Sequence, residues 1–476
     1  MTASLPAPEE QYAAIDFLSR PASYGLRDGE VQRVETHCSI VFLAADRAYK
    51  LKRAIRYVSL DYTTRELRQA ACEAELVLNR RTAPDLYLAV RSINCDAHGV
   101  LTFDGPGPAL DHVVVMRRFA RSDLFDVMAD TGGLKPALMH GLGEAVARLH
   151  LAAEITPAFG GSDAIRRVIA DNDRELALVA ATLDGAAVGT LSSRARAALD
   201  AVATLLDRRR AEGWVRRCHG DLRLANICLY LGRPTLFDCV EFSNEIGCID
   251  VLYDLAFLLM DLHLRGRGDL GNAVFNAYLD LVPETDGLRA LPLFLALRAA
   301  TRSYAVAGSA RRRTNPREAA RLLALARRHI DAGLDFLAPR RPLLIALGGE
   351  ADGRRSELAA MLASVTPPAP GARLLHLARS REATWREAGG LLAAGCSVLI
   401  EAGFTDPVEQ DAVVELASRP AIRSLGFWLG AAPATLNRHL WQMLDASQGS
   451  LAALANAAPR LTATVAQRPA PAAAPA

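Results

Sequence analysis

Apolar and polar positions alternate first and turn helical later. Ser39–Leu43 is short, apolar and β-branched, Ala44-Ala45-Asp46-Arg47 reads as a tight turn, and Ala48–Lys52 resumes the extended pattern. Together they predict a hairpin whose turn has no glycine. Thr63–Arg81 carries good helix formers, with Leu67, Ala70, Ala71 and Leu76 at helical spacing. Residues 86–93 and 98–103 alternate as strands, and Asp111–Phe119 holds the Val-Val-Val-Met run of a buried strand. The first 20 residues are a Pro-containing lead-in without strong periodicity.

The texture then changes. Leu134–Ala153, Ala164–Leu183 and Ser192–Gly213 are amphipathic helical patterns, with a Pro/Gly break at Thr156–Gly161. Short extended segments return over 214–245, and 250–336 is helical again. A strand-rich part (about 21–118) followed by a helix-rich part (about 119–338) predicts two lobes of one α+β domain. Ala338-Pro-Arg-Arg-Pro342 reads as a linker. Beyond it, strands at Leu343–Leu347, Ser397–Ile400 and Ser424–Leu429, with a helix from about Ser356, predict a smaller parallel α/β domain over 339–457. The Ala/Pro stretch 458–476 is expected to be a disordered tail.

Composition narrows the field. Hydrophobic residues make up 51% of 476, enough for large cores, which excludes a wholly disordered chain. Lys+Arg at 55 against Asp+Glu at 53 leaves a net charge of +2, so no chain-wide field favours nucleic acid or an anionic membrane. No apolar run reaches the roughly 18–20 residues of a membrane span. No secretory signal is visible at the N-terminus. The eight cysteines form no C-x-x-C pair, and reduced thiols in a cytoplasmic protein are expected. The arginines from Arg311 to Arg341 lack interleaved aromatics and read as a solvated face.

Candidate chemistry concentrates between 217 and 254. Arg217-Cys-His-Gly-Asp-Leu-Arg-Leu-Ala-Asn-Ile carries His219, Asp221 and Asn226, and Leu236-Phe-Asp-Cys-Val-Glu-Phe242 carries Asp238. Phosphoryl transfer needs a carboxylate to accept the proton of the attacking hydroxyl and oxygen ligands for Mg²⁺, and this set offers both. The two segments resemble the catalytic loop and metal-binding strand of the aminoglycoside phosphotransferase branch of the protein-kinase fold. The resemblance implies Asp221 as catalytic base, Asn226 and Asp238 as Mg²⁺ ligands, and His219 as a brace of the loop. It also likens Asp250 and Asp254 to the family's following helix, where an Asp is structural.

The upstream part resembles a kinase third strand, with Ala48-Tyr-Lys50. That implies Lys50 neutralising phosphate charge, with Lys52 on the same face as its rival. Glu73 or Glu75 should pair with the lysine, Glu75 being preferred. Met116-Arg-Arg118 would be the hinge along which adenine lies. The preceding loop, Glu35–Ile40, has no glycine, so the hydroxyls of Thr36 and Ser39 are its candidate phosphate contacts.

Leu343–Leu358 has the strand, Gly-rich turn and helix order of a Walker A site, and the chain resembles two-domain bacterial proteins that join a phosphotransferase-like to a P-loop kinase-like domain. Gly349, Gly353, Arg355 and Ser356 are its candidate nucleotide contacts. With Gly349 as the first glycine, Arg354 stands at the second glycine, Arg355 at the Lys and Ser356 at the Ser/Thr. Arg is no neutral swap for Lys, and Glu350 and Asp352 put negative charge in a loop meant for phosphate. Glu401 stands where an Asp is expected, and Trp441–Ser450 lacks the arginines of a clamping lid.

The expectation is a bilobal kinase-like fold followed by a degenerate P-loop-type domain. ATP and Mg²⁺ would serve transfer to a hydroxyl of a small-molecule acceptor, with no nucleic acid and no membrane, and a protein partner bound through the C-terminal domain. The alternative is a nucleotide-binding regulatory or scaffold protein.

Overall fold

The computed structural model describes residues 9–57, 59–349, 353–377, 381–419, 422–431, 436 and 441–444. They form two compact units. The first comprises the chain up to Gly133 with Ala152–Phe159 and Val215–Ile249; the second comprises Leu134–Leu151, Gly160–Trp214 and the chain from Asp250.

The first unit is built on a six-stranded antiparallel sheet. Its strands are β1 (Gln32–Glu35), β2 (Ser39–Ala44), β3 (Arg47–Lys52), β6 (Tyr87–Cys95), β7 (Leu101–Phe103) and β8 (Ala109–Arg117), in the order β1-β2-β3-β8-β6-β7. A small hairpin, β4 (Arg56–Tyr57) and β5 (Leu60–Asp61), follows β3. The predicted β2–β3 hairpin forms, and its glycine-free turn places Ala45 at φ 48. Alternation along β3 separates two faces. Tyr49 and Leu51 join a core with Phe42, Val113 and Val115, while Ala48 joins a second core with Val114, Met116 and Cys72. The strand is interior, between β2 and β8, so its lysines are not edge residues.

The segment read as an aperiodic lead-in contains a helix, Glu9–Ser19. Ala14, Phe17 and Leu18 pack into the first of these cores, and burying a Phe or Leu side chain stabilises by about 1.5–3 kcal/mol. Gln11 clamps the far end of β3, donating to Lys52 O at 2.9 Å and accepting from Ala54 N at 2.7 Å. The helix Arg65–Asn79 is N-capped by Thr64, whose side chain accepts from Leu67 N. The unit is completed by two short strand pairs, β9 (Val215–Arg217) with β12 (Cys248–Asp250) and β10 (Ile227–Tyr230) with β11 (Arg233–Leu236).

The second unit contains the long helices Pro136–Ala152, Gly161–Val179, Gly185–Ala211, Val251–Leu264, Gly268–Leu281, Leu291–Ala310 and Pro316–Phe336. The third starts two turns before the predicted Ser192. Those turns hold Gly185, Gly189 and Thr190, weak helix formers, and Asp184 caps the start by accepting from Ala186 N and Ala187 N. The helix Leu291–Ala310 is buried nearly all round and carries Arg298 inside, its guanidinium 3.8 Å from the Tyr253 ring centre and donating to Tyr253 O. Asp250 caps the helix Val251–Leu264 and pairs with the buried Arg209, a structural role as expected.

The same unit holds a five-stranded parallel sheet: β13 (Leu343–Gly349), β14 (Arg373–His376), β15 (Val398–Glu401), β16 (Arg423–Leu429) and β17 (Trp441–Leu444), ordered β14-β15-β13-β16-β17. Two of these were not predicted. β14 is short and begins and ends on charged or polar residues. β17 is the first part of the segment read as a lid, whose remainder lies outside the described residues. The edge strand β14 is covered by side chains of the helix Gly268–Leu281. Asn276 accepts from Leu374 N at 2.8 Å and donates to Ala372 O, Asn272 donates to Ala372 O, and Arg373 pairs with Asp280 at 2.7 Å. These bonds occupy groups that an open edge would offer to another chain.

Candidate active site

The loop after β9 is held from three sides. Gly220 sits at φ 87, and a Cβ there would lie 3.1 Å from Ile246 O and Val240 Cβ. Arg81, just beyond the helix Arg65–Asn79, donates to the carbonyls of Arg217 and Cys218. His219 is buried, with Nε2 2.9 Å from Phe237 O. A carbonyl only accepts, so Nε2 carries the hydrogen and Nδ1 is left to accept from Asp221 N, at 3.3 Å. The neutral ring thus ties the Asp221 loop to the segment that bears Asp238.

Both oxygens of Asp221 are engaged. Arg223 meets them in a fork, Nε to Oδ1 at 2.7 Å and a terminal nitrogen to Oδ2 at 2.8 Å. Asn226 donates through Nδ2 to Asp221 Oδ2 at 2.8 Å and to its carbonyl at 2.9 Å, so its amide oxygen is the atom that could hold a cation. Sequence reasoning passed over Arg223, although its spacing of two from Asp221 was the available signal.

Asp238 adopts φ 63, a conformation few non-glycine residues take. Its own N–H bonds Tyr87 Oη at 3.1 Å and the next N–H bonds Asn79 Oδ1 at 2.9 Å, so the helix and β6 hold the turn. The carboxylate is 42% exposed and meets the ammonium of Lys50.

The rivalry between the lysines resolves into shared use. Lys50 Nζ lies 2.8 Å from Glu75 Oε1, and Lys52 takes the other oxygen of Glu75 as well as Glu241, which also receives Tyr62 Oη. Glu73 is exposed and bonds Gln69 instead, so Glu75 is the partner. Burial by itself would lower the lysine pKa values, but Asp238 and Glu75 hold Lys50 well above its usual value, and Glu241 and Glu75 do the same for Lys52. Burial would raise Glu75, yet the two ammonium groups bring it down to about 2. Lys50, Lys52 and Glu75 are therefore charged at neutral pH, the form in which such buried groups compensate one another.

Met116 is buried in β8 opposite Ala48, in a cluster that includes Val114 and Cys228, with Val41, Tyr230 and Phe237 packed against it. Thr36 and Ser39 close their own turn, the Thr36 hydroxyl accepting from Ser39 N and donating to Ser39 O, each at 3.0 Å. The side chains of Asp238 and Asn226 are of the kind that suits Mg²⁺: a carboxylate and an amide oxygen are hard ligands, and the ammonium resting on Asp238 marks a place that accepts positive charge.

The second cradle differs. Gly349 ends β13 at φ 126, and Gly353 opens the helix Gly353–Val365, with Arg354 exposed on its first turn. Arg355 turns back, Nε 3.0 Å from Glu401 Oε1 and a terminal nitrogen 2.6 Å from Gly349 O. Ser356 Oγ donates to Glu401 Oε1 at 2.8 Å, and His376 Nδ1 lies 3.1 Å from Glu401 Oε2. Burial raises the Glu401 pKa, but these bonds outweigh it and bring it to about 2. Glu350 and Asp352 lie outside the described residues.

Comparison with known proteins agrees with where this chemistry falls. Residues 61–291, just under half of the chain, match the phosphotransferase enzyme family. Uncharacterized proteins of Mycobacterium tuberculosis and Mycobacterium bovis are 30% identical over 273 residues, covering 56% of this chain and 53% of theirs. The chain therefore spans about half the length of the curated relatives it matches. Among solved structures, a choline/ethanolamine kinase family protein of Mesorhizobium loti is 17% identical (68% of this chain, 98% of that one, TM-score 0.39). A choline kinase of Cryptosporidium parvum is 11% identical (69% and 95%, TM-score 0.43). A thermostable aminoglycoside phosphotransferase mutant in complex with AMP-PNP and hygromycin B is 17% identical (67% and 98%, TM-score 0.39). At these scores the structural likenesses carry no argument. No helix among the described residues is long and apolar enough to cross a membrane.

Proposed function

We propose that the chain is an ATP-dependent phosphotransferase of kinase-like fold that moves the γ-phosphoryl group of Mg·ATP to a hydroxyl of a small-molecule acceptor. The observation that carries this reading is Lys50, which touches Glu75 and Asp238 and so joins three distant stretches of sequence at one point. The match of residues 61–291 to the phosphotransferase family supports it.

In this reading Asp221 orients the acceptor hydroxyl and takes its proton as the new O–P bond forms. The bond from the γ-phosphorus to the β–γ bridging oxygen breaks, and its electron pair leaves with ADP. Asn226 and Asp238 would hold Mg²⁺, which when bound would neutralise phosphate charge. Lys50 exchanges Asp238 for phosphate oxygens while staying on Glu75, and His219 keeps the loop and the Asp238 turn in register. Arg223 must leave at least one Asp221 oxygen for the acceptor. Ala48 and Met116 form the apolar side against which adenine lies.

The C-terminal sheet is, in the same reading, a P-loop-type domain whose own Arg355 fills the place of phosphate, leaving it a structural or regulatory part and a surface for a protein partner. A cytoplasmic location agrees with cysteines that form no disulfide among the described residues.

The test is Mg·ATP consumption by the purified chain against a panel of hydroxylated metabolites, amino alcohols and aminoglycosides. At least one acceptor should raise turnover, and Asp221→Asn should lower it by ~10²–10⁴-fold. If no acceptor acts and Asp221→Asn leaves background hydrolysis unchanged, the catalytic reading is wrong and a nucleotide-binding scaffold replaces it.

A further inference from the structure

Resting on that reading, we propose that Lys52, Glu241 and Tyr62 form a second rung beside the Lys50–Glu75 pair, positioning Glu75 and the Asp238 turn for the metal–nucleotide complex. One lysine on one glutamate is enough to aim an ammonium at phosphate. Here Glu75 has two, one on each oxygen. The second is 2% exposed and also engages Glu241, whose side chain is 5% exposed. For Lys52 to reach a phosphate it would have to abandon two buried carboxylates and leave Glu241 without its ammonium, and removing one partner of a buried ion pair is strongly destabilising. Lys52 is thus a positioning residue rather than a phosphate ligand.

The geometry says what it positions. Glu241 follows Asp238 by three residues, so anchoring Glu241 tethers the Asp238 turn from its far side. Tyr87 and Asn79 hold the near side through the N–H groups of Asp238 and Cys239. Between these anchors Asp238 keeps its left-handed backbone. Tyr62 adds a hydroxyl on Glu241 and a ring 5.3 Å from the Lys52 ammonium. Gln11 takes the Lys52 carbonyl and bonds Ala54 N, fixing the end of β3 from the N-terminal helix. When metal takes Asp238, Lys50 loses one of its two carboxylates. Lys52 still holds Glu75 in place, and Glu75 keeps Lys50 aimed.

The experiment is binding of a fluorescent ATP analogue to the full chain over a series of Mg²⁺ concentrations, well below the melting temperature. Lys52→Met should raise the Mg²⁺ concentration for half-maximal binding by ~10-fold, the size typical of residues that orient metal ligands. Glu241→Gln should act alike, the double variant should be no worse than either single, and Lys52→Arg should recover part of the loss. A general loosening would lower the melting temperature without moving the Mg²⁺ requirement. An unchanged requirement in folded Lys52→Met overturns the proposal. So does a loss of binding that no Mg²⁺ restores, which would make Lys52 a direct phosphate contact. Should Lys52→Met not fold, Tyr62→Phe must shift the requirement in the same direction by ~2-fold or more, since it removes one hydrogen bond to a carboxylate. No nucleotide binding by the wild type overturns this proposal and the proposed function together. A shifted Mg²⁺ requirement with turnover indifferent to Asp221→Asn sinks only the catalytic reading.

Discussion

Around Glu75 the positive charges arrive from another element, β3, and one of them also rests on Asp238; around Glu401 the guanidinium of Arg355 arrives from the helix after β13 and folds back onto the carbonyl of Gly349. The two carboxylates have similar burial and similarly depressed pKa values. Their partners differ in what they leave exchangeable. Lys50 is a compact ammonium shared between carboxylates of two segments, so in the proposed reading a metal ion on Asp238 would free it for phosphate. Arg355 spans Gly349 O and Glu401 with a rigid planar fork, and an incoming phosphate would have to displace it from its own loop. A cation near a glycine turn is therefore not enough to identify a phosphate site; what matters is whether that cation can change partners.

The strongest way to break this contrast is to remove each cation. Lys50→Met should lower ATP turnover by ~10²-fold or more, as loss of a group aimed at transition-state charge does, whereas Arg355→Met should leave turnover and ATP affinity unchanged. Steady-state kinetics at saturating Mg²⁺ checks both. A large loss in Arg355→Met would make the C-terminal cradle the working site. Gly349 sharpens the contrast structurally. A Cβ there would lie 2.3 Å from Leu429 O in the paired strand β16, at a backbone angle side chains rarely adopt. Gly349→Ala should cost about 2–4 kcal/mol, read as a lower denaturant midpoint, with turnover of the remaining folded protein intact.

Acid should loosen both regions. Glu75 and Glu401 both have folded pKa values of about 2 against an ordinary 4.5. A depressed carboxylate stabilises fully above its unfolded pKa, and that contribution is lost as pH falls from about 4.5 toward about 2. Melting temperature should therefore drop over that window, and Glu401→Gln should flatten the part of the drop owed to the C-terminal cradle. An identical pH profile in Glu401→Gln would mean that its ion pairs contribute nothing there.

Local periodicity made the β2–β3 hairpin and the helix Arg65–Asn79 legible, and the motifs at His219–Asn226 and Asp238 stood out by their resemblance to a family pattern; each has a short-range signature. What stayed hidden depends on contacts distant in sequence. The helix Glu9–Ser19 is held by β3 and its core rather than by its own pattern, and β14 is a strand because Asn276 and β15 pair with it. Lys50 and Lys52 could not be ranked from sequence because two residues on one strand face share a side, and only Glu75 and Glu241 reveal that both are engaged. Arg223 was overlooked because the motif was read for its carboxylates and amide alone.

The smallest expected effect lies in the turns. Where the C-terminal cradle uses Gly349 for its left-handed backbone, the β2–β3 turn beside Lys50 uses the exposed Ala45 at φ 48. A Cβ in that region crowds the following carbonyl, costing about 1–2 kcal/mol. Ala45→Gly relieves this strain but adds freedom to the unfolded chain, so a net gain of only about 0.5 kcal/mol is expected, with no change in turnover. Ala45→Asn separates the two terms. Asn tolerates the left-handed region and adds less unfolded-state freedom than Gly, so its gain should equal or exceed that of Gly if backbone strain is the cause. Urea midpoints at constant slope would show it. A loss in both variants would mean that the Ala45 methyl is itself part of what holds the hairpin.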